Sequence, residues 1–221
     1  MQPALVAPSS VEEIQLAADG GTDSIAIRLG ASPTSSRSTA ADRRHERRWI
    51  EEAQRGSGEA LEALYRRHWP WAHRAAYLIV QDRAAAEDIA QEAFLAAVRA
   101  LDRFDRRRPF GPWLHRIVVN RAIDWARARS LRAGAMEEEP DAGFGSELGT
   151  REPQQSRPYS ESVVAALASL SPEHRAVVVL RYLLEYTPGE IAEALELPRG
   201  TVNSRLRRAL DRLAKLLEAE R

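Results

Sequence analysis

The stretch that most constrains the fold is TPGEIAEALELPRGTVNSRLRRALDRL, residues 187–213. Thr187 and Glu190 have the spacing of a capping box, in which the hydroxyl and the acid each satisfy a free N–H group of the first helical turn. Pro188 suits the first position of a helix, because its nitrogen needs no hydrogen bond there. The sequence therefore predicts a helix that begins at Pro188 and turns its apolar residues inward.

A second helix is predicted directly after the first. The first helix should end at the letters LPRG, because Pro198 cannot continue the hydrogen-bond ladder and Gly200 allows a sharp turn. The second should begin near Thr201, with apolar residues on one side. Its other side carries Asn203, Ser204, Arg207 and Arg208. Such a helix-turn-helix commonly places its second helix in the major groove, where arginine pairs with guanine. The alternative is an ordinary helical hairpin with a solvated basic face.

Composition excludes several classes of function. Of 221 residues, 44% are hydrophobic and 29% are charged, as in a soluble protein of one or two domains. Basic and acidic residues number 32 each, so DNA affinity requires charge segregated on one surface. The chain has no cysteine, and its five histidines show no ligand spacing, so we expect no catalytic residue, metal or cofactor. No apolar leader or long apolar run is present, so we expect a cytoplasmic protein without a membrane span.

The chain divides into four parts and predicts an all-α fold. Residues 1–42 are rich in Ser, Thr, Ala, Pro and Gly and should form a disordered tail. Residues 43–130 are strongly helical in pattern, and residues 131–159 form a flexible acidic linker dense in Gly and Pro. Residues 160–221 form a second helical domain that contains the helix-turn-helix. We therefore expect two small helical domains joined by a flexible linker.

One helix of the first domain has an unusual polar face. In AEDIAQEAFLAAVRALDRF, residues 86–104, the apolar side consists of Ile89, Ala93, Phe94, Ala97, Leu101 and Phe104. The polar side carries Asp88, Gln91, Glu92, Arg99 and Asp102, with Leu95 among them. A large apolar side chain within a polar face is a candidate contact for another protein. A solvated helix face is the alternative, because scattered exposed leucines are normal.

Arginine and aromatic residues alternate in the segment that follows. The loop RFDRRRPFGPW contains Arg106, Arg107, Arg108, Phe110 and Trp113. Cations hold phosphates, and each base stacked on a ring is worth roughly 1 to 3 kcal/mol, so this composition suits a single strand. The helix after it has one polar stripe, formed by Trp113, Arg116, Asn120, Asp124 and Arg127. The alternative is that the aromatic residues are core, which we expect wholly of Trp125 and partly of Phe110 and Trp113.

These segments together resemble one protein family. The order AEDIAQEAF, ALDRF, FGPWLHRIVVNRAIDWAR and LSPEHRAVVVLRYLLEYTPGEIAEALELPRGTVNSRLRRAL is similar to that of bacterial sigma factors of the extracytoplasmic-function (ECF) group. The resemblance covers roughly residues 49–217. It implies an alternative-type, dissociable promoter-specificity subunit of RNA polymerase without enzyme activity. Residues 43–130 would be sigma region 2, residues 160–221 would be sigma region 4, and an anti-sigma factor would be a further partner.

The resemblance also implies a role for each matched position. Contact with the clamp helices of the largest polymerase subunit would come from Asp88, Gln91, Glu92, Leu95 and Arg99. Capture and melting of the minus-10 element, both duplex and non-template strand, would come from Arg106, Arg107, Arg108, Phe110, Trp113, Arg116, Asn120, Asp124 and Arg127. Reading of the minus-35 element would come from Arg199, Thr201, Asn203, Ser204, Arg207 and Arg208.

Two positions depart from the family pattern. Asn203 stands where the family usually has Lys or Arg, and Arg207 stands where an aromatic residue or His is frequent. Asn203 would remove a phosphate contact and Arg207 adds a candidate guanine reader, so the family's usual minus-35 preference does not carry over to this chain, while the mode of binding does.

Two alternatives stay open at this level. The linker acids, Glu137 to Glu139 with Asp141, would either thread a basic channel of the polymerase or act as a solvated spacer. The rival function is a stand-alone helix-turn-helix regulator, which would bind a palindromic duplex by itself, usually as a dimer. The pattern does not support a third hypothesis, that of a membrane-surface or structural helical protein.

Overall fold

The computed structural model describes residues 40–136 and 161–219, and every regular element within them is a helix. The expected all-α fold is confirmed. The first helical unit contains α1 (Ala40–Gln54), α2 (Gly58–Val80), α3 (Arg83–Ala100) and α4 (Phe110–Met136), with a 3-10 turn at Leu101–Arg103. The second helical unit contains α5 (Glu161–Ala168), α6 (Pro172–Val178), α7 (Pro188–Leu195) and α8 (Arg199–Ala219). The predicted tail up to residue 39 and the acidic run of residues 137–141 lie outside the described residues.

Polar side chains just before the helices fix where they begin. Ser57 caps α2 by accepting a hydrogen bond from the N–H of Ala60, and Asp82 caps α3 through Ala85. The capping box expected at α7 is confirmed, because Thr187 accepts from the N–H of Glu190 while the Glu190 carboxylate accepts from that of Thr187. Each cap satisfies backbone donors that have no partner inside the helix.

The turn between α7 and α8 differs from the prediction. The residue with positive φ is Glu196, at φ 53°, and its N–H donates to Ala192 O at the end of α7. Pro198 O then accepts the first hydrogen bonds of α8, and Gly200 lies inside that helix. The helix therefore ends at a glutamate in the left-handed conformation, at a position where neither glycine nor asparagine marks the end of the helix.

Helix α4 is longer than the sequence prediction. It continues to Met136, whereas the linker was expected from residue 131. Ser130 and Arg132 donate side-chain hydrogen bonds back to the carbonyls of Ala126 and Ala128, one turn earlier. The sequence SLRAGAM contains good helix formers and no proline, so nothing local stops the helix at residue 131. Similarly, α1 begins at Ala40, inside the expected tail.

The two helical units share one apolar core. In the first unit, α2 packs against α1, α3 and α4, and in the second unit α8 packs against α6 and α7. Helices α2 and α4 also contact α6, and α4 contacts α7. The buried apolar side chains form a continuous cluster that runs from Ile50 in α1 to Leu213 in α8. The sequence predicted two helical domains, but it did not predict that they pack against each other.

Candidate protein and nucleic-acid interfaces

Helix α3 presents the polar face that the sequence pattern predicted. Its expected apolar side is buried and so confirmed, at Ile89, Ala93, Phe94, Ala97, Leu101 and Phe104. The opposite side is exposed at Asp88, Gln91, Glu92, Leu95 and Arg99. Leu95 is 55% exposed, and Val98, three residues later on the same face, is 43% exposed. Val98 was not among the predicted residues, although its spacing from Leu95 gives the signal.

Ion pairing ties this face to the neighbouring helix. Arg121 of α4 approaches Glu92 at 3.1 Å between Nη1 and Oε2, and Gln91 donates to Glu87 at 3.3 Å. Both pairs are largely exposed, so they orient the side chains more than they stabilise the fold. The α3 face therefore combines two exposed aliphatic side chains with an ordered polar surround.

The arginine loop between α3 and α4 is exposed throughout Asp105 to Pro109. The N–H of Arg107 donates to the Asp105 carboxylate at 3.0 Å, and Arg108 N–H donates to Asp105 O, so Asp105 orders the loop. Arg106 lies 3.4 Å from Glu51 of α1. Because Arg106, Arg107 and Arg108 lie exposed on one short turn, the loop concentrates positive charge in a chain whose net charge is zero.

Phe110, which was predicted as a base-stacking residue and as partly core, is buried in the core. It is only 3% exposed, and its ring packs edge-on against Phe104 and Trp113, with centroids 5.8 and 5.5 Å away. The start of α4 lies tightly against α2, so tightly that a Cβ at Gly111 would come within 3.3 Å of the His68 ring. Phe110 is therefore a core residue, whereas Trp113 is only half-buried.

Trp125 also differs from its prediction, in the opposite direction. We expected it to be wholly core, yet it is half-buried and packs against the core cluster from outside. The guanidinium of Arg129, one turn later, lies 5.2 Å from its ring centroid, in cation–π geometry.

The polar stripe of α4 faces the second helical unit over part of its length. Arg116 forms an ion pair with Glu196, the residue that ends α7. Arg127 forms another with Glu173 of α6, at 2.6 Å between Nε and Oε1. Burial alone would raise the pKa of Glu173, but hydrogen bonding and charge from Arg127 lower it overall. Two of the five predicted stripe residues are therefore engaged by acids of the other unit.

The remaining polar residues of the stripe, Asn120 and Asp124, differ in exposure. Asn120 is half-buried, and Asp124 is exposed with a carboxylate oxygen 3.9 Å from Arg127.

A buried histidine lies between the two units. His115 of α4 shares a hydrogen bond of 3.0 Å between Nδ1 and the hydroxyl of Tyr186, which precedes α7. Burial, with a smaller contribution from the charge of His68, lowers the pKa of His115 to about 3. Burial and the nearby Glu190 raise the pKa of Tyr186. Both side chains are therefore neutral near pH 7, as a buried contact requires.

Helix α8 presents its predicted polar side to solvent. Arg199, Asn203, Arg207 and Arg208 are exposed, and Thr201 and Ser204 are half-buried. Ser204 donates its hydroxyl proton to Thr201 O at 2.9 Å, within the helix. The opposite side is buried, as expected, at Val202, Leu206, Ala209 and Leu213. The N-terminal half of α8 is thus an exposed basic face supported by a packed apolar face.

A cleft of about 420 Å³, which no sequence pattern predicted, lies beside the second half of α8. It is lined by Ser169, Leu170, Ser171, His174, Arg208, Asp211, Arg212 and Lys215. Burial and the charges of Arg205 and Arg208 lower the pKa of His174. Its lining is basic and continues the charge of the α8 face, so the cleft extends that surface.

Two other kinds of site are absent from the described ranges. Among residues 40–136 and 161–219, no group of three His, Cys, Asp or Glu residues is arranged to hold a metal ion. No helix in the same ranges is long and apolar enough to cross a membrane.

Family models match both helical units. Residues 64–132 match the model of Sigma-70 region 2, and residues 160–213 match that of Sigma-70, region 4. Among curated proteins, the chain is 35% identical to the ECF RNA polymerase sigma factor SigM of Mycobacterium tuberculosis, over 73% of this chain and 79% of that protein. It is 29% identical to the ECF RNA polymerase sigma factor SigW of Bacillus subtilis, over 76% of this chain and 94% of that protein.

Solved structures are also similar. The structure of CnrH in complex with the cytosolic domain of CnrY is 28% identical, with a TM-score of 0.58, and the match covers 80% of this chain and 99% of that one. The sigma factor RpoE, solved in complex with the anti-sigma factor NepR from Bartonella quintana, shares the fold at 23% identity and a TM-score of 0.55. That match covers 72% of this chain and 98% of that one.

Proposed function

The chain belongs to the ECF group of RNA polymerase sigma factors, and on that premise we propose which partner each of its surfaces binds. Sigma factors are DNA-recognition proteins, and this one directs promoter-specific transcription initiation by binding RNA polymerase core and promoter DNA. The polymerase supplies the chemistry, so we assign no catalytic residue to the chain. The observation that carries the function is the presence of both matched regions in the expected order.

We assign each helical unit to one sigma region. In our proposal residues 43–130 act as sigma region 2 and residues 160–221 act as sigma region 4. Residues 131–159 connect them and residues 1–42 precede them, with α4 extending the first unit to Met136. Because the polymerase works in the cytoplasm, we place the chain there too.

The exposed face of α3 docks on the polymerase core. Leu95 and Val98 give it an apolar centre of the kind that dominates protein interfaces, and Asp88, Gln91 and Glu92 give it a polar rim. The carboxylates on this face favour a partner with basic residues, and the partner that we assign to it is the pair of clamp helices of the largest subunit. Arg99 lies at the end of the same face.

The first unit binds the minus-10 element. Arg106, Arg107 and Arg108 are exposed on one turn and can neutralise phosphates of the non-template strand. Trp113 keeps part of its ring accessible, so it replaces Phe110 as the stacking surface for an extruded base. Along α4, Arg116, Asn120, Asp124 and Arg127 complete this surface.

The second unit reads the minus-35 element in the major groove. Arg199 lies at the start of α8, where helix-turn-helix proteins approach the backbone, and Arg207 is exposed two turns further on. Asn203, Arg208 and the half-buried Thr201 and Ser204 lie between or beside them. We assign phosphate contact to Arg199 and base reading to Arg207.

An anti-sigma factor completes the proposed set of partners. CnrH was solved with the cytosolic domain of a partner protein, and this chain is similar to CnrH over 80% of its length. A partner that covered Leu95 and Val98 would exclude the polymerase from α3, and inhibition would follow directly.

The test is assembly with sigma-free core RNA polymerase. The purified chain should bind core and open promoter DNA, and changing Asp88, Gln91 and Glu92 together to Ala should abolish both. The matched control changes Glu59 and Glu62 to Ala, which removes two carboxylates from an exposed part of α2. If the chain ignored core and instead bound a palindromic duplex tightly alone, the function would be that of a stand-alone regulator.

A further inference from the structure

The cleft beside the second half of α8 carries charge that the proposed contacts with polymerase and promoter do not use, apart from Arg208. One wall of the cleft is the turn between α5 and α6, which contributes Ser169, Leu170, Ser171 and His174. The other wall is α8, which contributes Arg208, Asp211, Arg212 and Lys215. The cleft is therefore built within the second unit, from two of its elements.

Three cations of α8 line the cleft at helical spacing. Arg208, Arg212 and Lys215 lie at positions i, i+4 and i+7, so they share one side of the helix. All three side chains are exposed, and none of them forms an ion pair with an acid in the ranges 40–136 and 161–219. Their hydrogen-bond donors are therefore available to an anion in the cleft.

The charge of the lining matches one phosphate group. Among the described residues that line the cleft, Asp211 supplies the only carboxylate, so three cations exceed one acid by two charges. A phosphate monoester carries about 1.5 to 2 negative charges near pH 7 and presents three acceptor oxygens. Guanidinium groups donate to two such oxygens at once. A phosphate group therefore neutralises the lining, whereas a single carboxylate would leave it positive.

The wall opposite α8 is fixed by a buried arginine. Arg175 of α6 is 8% exposed, and its guanidinium group donates to the carbonyls of Leu167, Ala168 and Leu170 at the end of α5. It also donates to Ile79 O at the end of α2. Carbonyls at helix ends have no partner within the helix, so one cation that satisfies several of them fixes the course of the turn.

The histidine of this wall has one ring nitrogen without a partner. Ser171 Oγ accepts a hydrogen bond from His174 N–H and lies 2.8 Å from His174 Nδ1. His174 Nε2 is buried and has no hydrogen-bond partner among the described residues. The charges of Arg205 and Arg208 help to lower the pKa of His174, so an anion in the cleft would oppose them and favour a proton on the ring.

The size of the cleft favours a small molecule. Its volume of about 420 Å³ falls within the range of small-molecule sites, roughly 300 to 1,000 Å³. Leu170 adds an apolar side chain to the lining. DNA is read by the N-terminal residues of such a helix, and Lys215 lies about 21 Å along the axis from Thr201. The cleft therefore extends away from the end of α8 that reads bases.

We propose that this cleft binds a small phosphorylated molecule, whose phosphate group is held by Arg208, Arg212 and Lys215. The site goes beyond the proposed function, because its occupation requires neither polymerase nor promoter DNA. Promoter opening with core polymerase is measured separately, so the failure of one proposal is distinguishable from the failure of the other.

The first arm of the test titrates the full-length chain with inorganic phosphate and with ribose 5-phosphate at constant ionic strength, by isothermal titration calorimetry. Each should bind at one site, and ribose should not bind. Arg212→Ala with Lys215→Ala should weaken binding at least about tenfold, because charge-assisted hydrogen bonds are lost. These variants leave Arg208 unchanged, since it is also assigned to the minus-35 face.

The matched control is Arg66→Ala with Arg132→Ala, which removes two exposed arginines from the first unit. It should change phosphate binding less than about twofold. Equal weakening in the control and in the cleft variant would mean general electrostatics and would overturn the site, as would the absence of phosphate binding to the unaltered chain.

The second arm reverses the sign of the charge change and locates the ligand. Asp211→Asn should tighten phosphate binding about twofold to fivefold, whereas Glu59→Gln, at an exposed position of α2, should not change it. The ring signals of His174, identified in NMR spectra by their loss in His174→Gln, should shift as phosphate binds. Unshifted signals, or no tightening by Asp211→Asn, would place the phosphate elsewhere.

The third arm tests a DNA phosphate as the source of the same chemistry. Binding of a minus-35 duplex is titrated at several salt concentrations, and Arg212→Ala with Lys215→Ala should leave the salt slope nearly unchanged. A slope reduced by about 2 would make the cleft a contact for the DNA backbone and would overturn the small-molecule site. Circular dichroism and urea unfolding of each variant confirm that the chain is folded.

Discussion

Helices α4 and α8 are both basic on one side and both are assigned to promoter DNA, yet they differ in how much of that side is exposed. Helix α8 lies at the edge of its unit, and Arg199, Arg207 and Arg208 are exposed. Helix α4 packs against α2 and α3 and also against α6 and α7, so its polar stripe is partly covered. A helix at the centre of the packing has little free surface, and its functional side chains are shared with neighbouring elements.

The largest expected effect comes from removing Arg175 of α6, the buried arginine that joins the second unit to the end of α2. Arg175→Ala leaves four carbonyls without their donor, and each buried unsatisfied acceptor costs about 1 to 3 kcal/mol. We expect the free energy of unfolding, measured in urea, to fall by roughly 4 kcal/mol or more. Arg175→Lys keeps a charged donor and should lose less. A loss below about 1 kcal/mol for Arg175→Ala would show that its hydrogen bonds to the four carbonyls do not hold the two units together.

The second prediction compares two aromatic residues of α4, the buried Phe110 and the half-buried Trp113. Phe110→Ala should lower the free energy of unfolding by about 3 to 5 kcal/mol, because a buried ring is removed from the core. Trp113→Ala should cost less stability and instead weaken single-strand binding by about 1 to 3 kcal/mol. Urea unfolding and oligonucleotide titration measure the two effects. If the conservative Phe110→Leu weakened DNA binding as much as Trp113→Ala without loss of stability, Phe110 would be a stacking residue after all.

The exposed face of α8 gives the third prediction. Arg207→Ala should reduce discrimination among minus-35 sequences by about 1 to 3 kcal/mol, because a base contact is lost. Arg199→Ala should weaken binding to all sequences alike and reduce the salt slope by about 1, because a phosphate contact is lost. Titration of each variant against permuted upstream elements, at two or more salt concentrations, checks both. Equal losses on every sequence for Arg207→Ala would remove its base-reading role.

The smallest expected effect is the pH dependence of stability. The pKa of His115 is about 3 when buried, and an exposed histidine titrates near 6.5, so only the unfolded state binds the extra proton as pH falls below about 6.5. The free energy of unfolding should therefore fall by up to about 1.4 kcal/mol per pH unit below that value. Glu173 acts with the same sign, because its pKa is lowered by Arg127 and its pair is lost as pH falls through that value.

Urea unfolding at pH 7 and pH 5 checks this prediction. Since His115→Asn cannot titrate, the contribution of His115 to the pH dependence should vanish in that variant. An equal free energy of unfolding at both pH values in the unaltered chain would contradict the prediction.

Most of the local structure was predictable from the sequence. The capping box at Thr187 and Glu190 and the buried side of α3 were predicted correctly, because a cap and a 3.6-residue period lie within one helix. The turn at Glu196 was missed because a left-handed glutamate carries no glycine signal. Phe110 is more deeply buried and Trp125 less buried than predicted, because burial of a ring depends on which helices lie next to it.

The sequence by itself determined the all-α class, the helix-turn-helix and the family, since these depend on short-range spacing and on the order of segments along the chain. Only the tertiary structure decided which polar residues are available. Arg116 and Glu196 are 80 positions apart, and Arg175 lies 96 positions from Ile79. No local period encodes such pairs, because they arise only when the packing of apolar faces fixes how the helices of one unit meet those of the other.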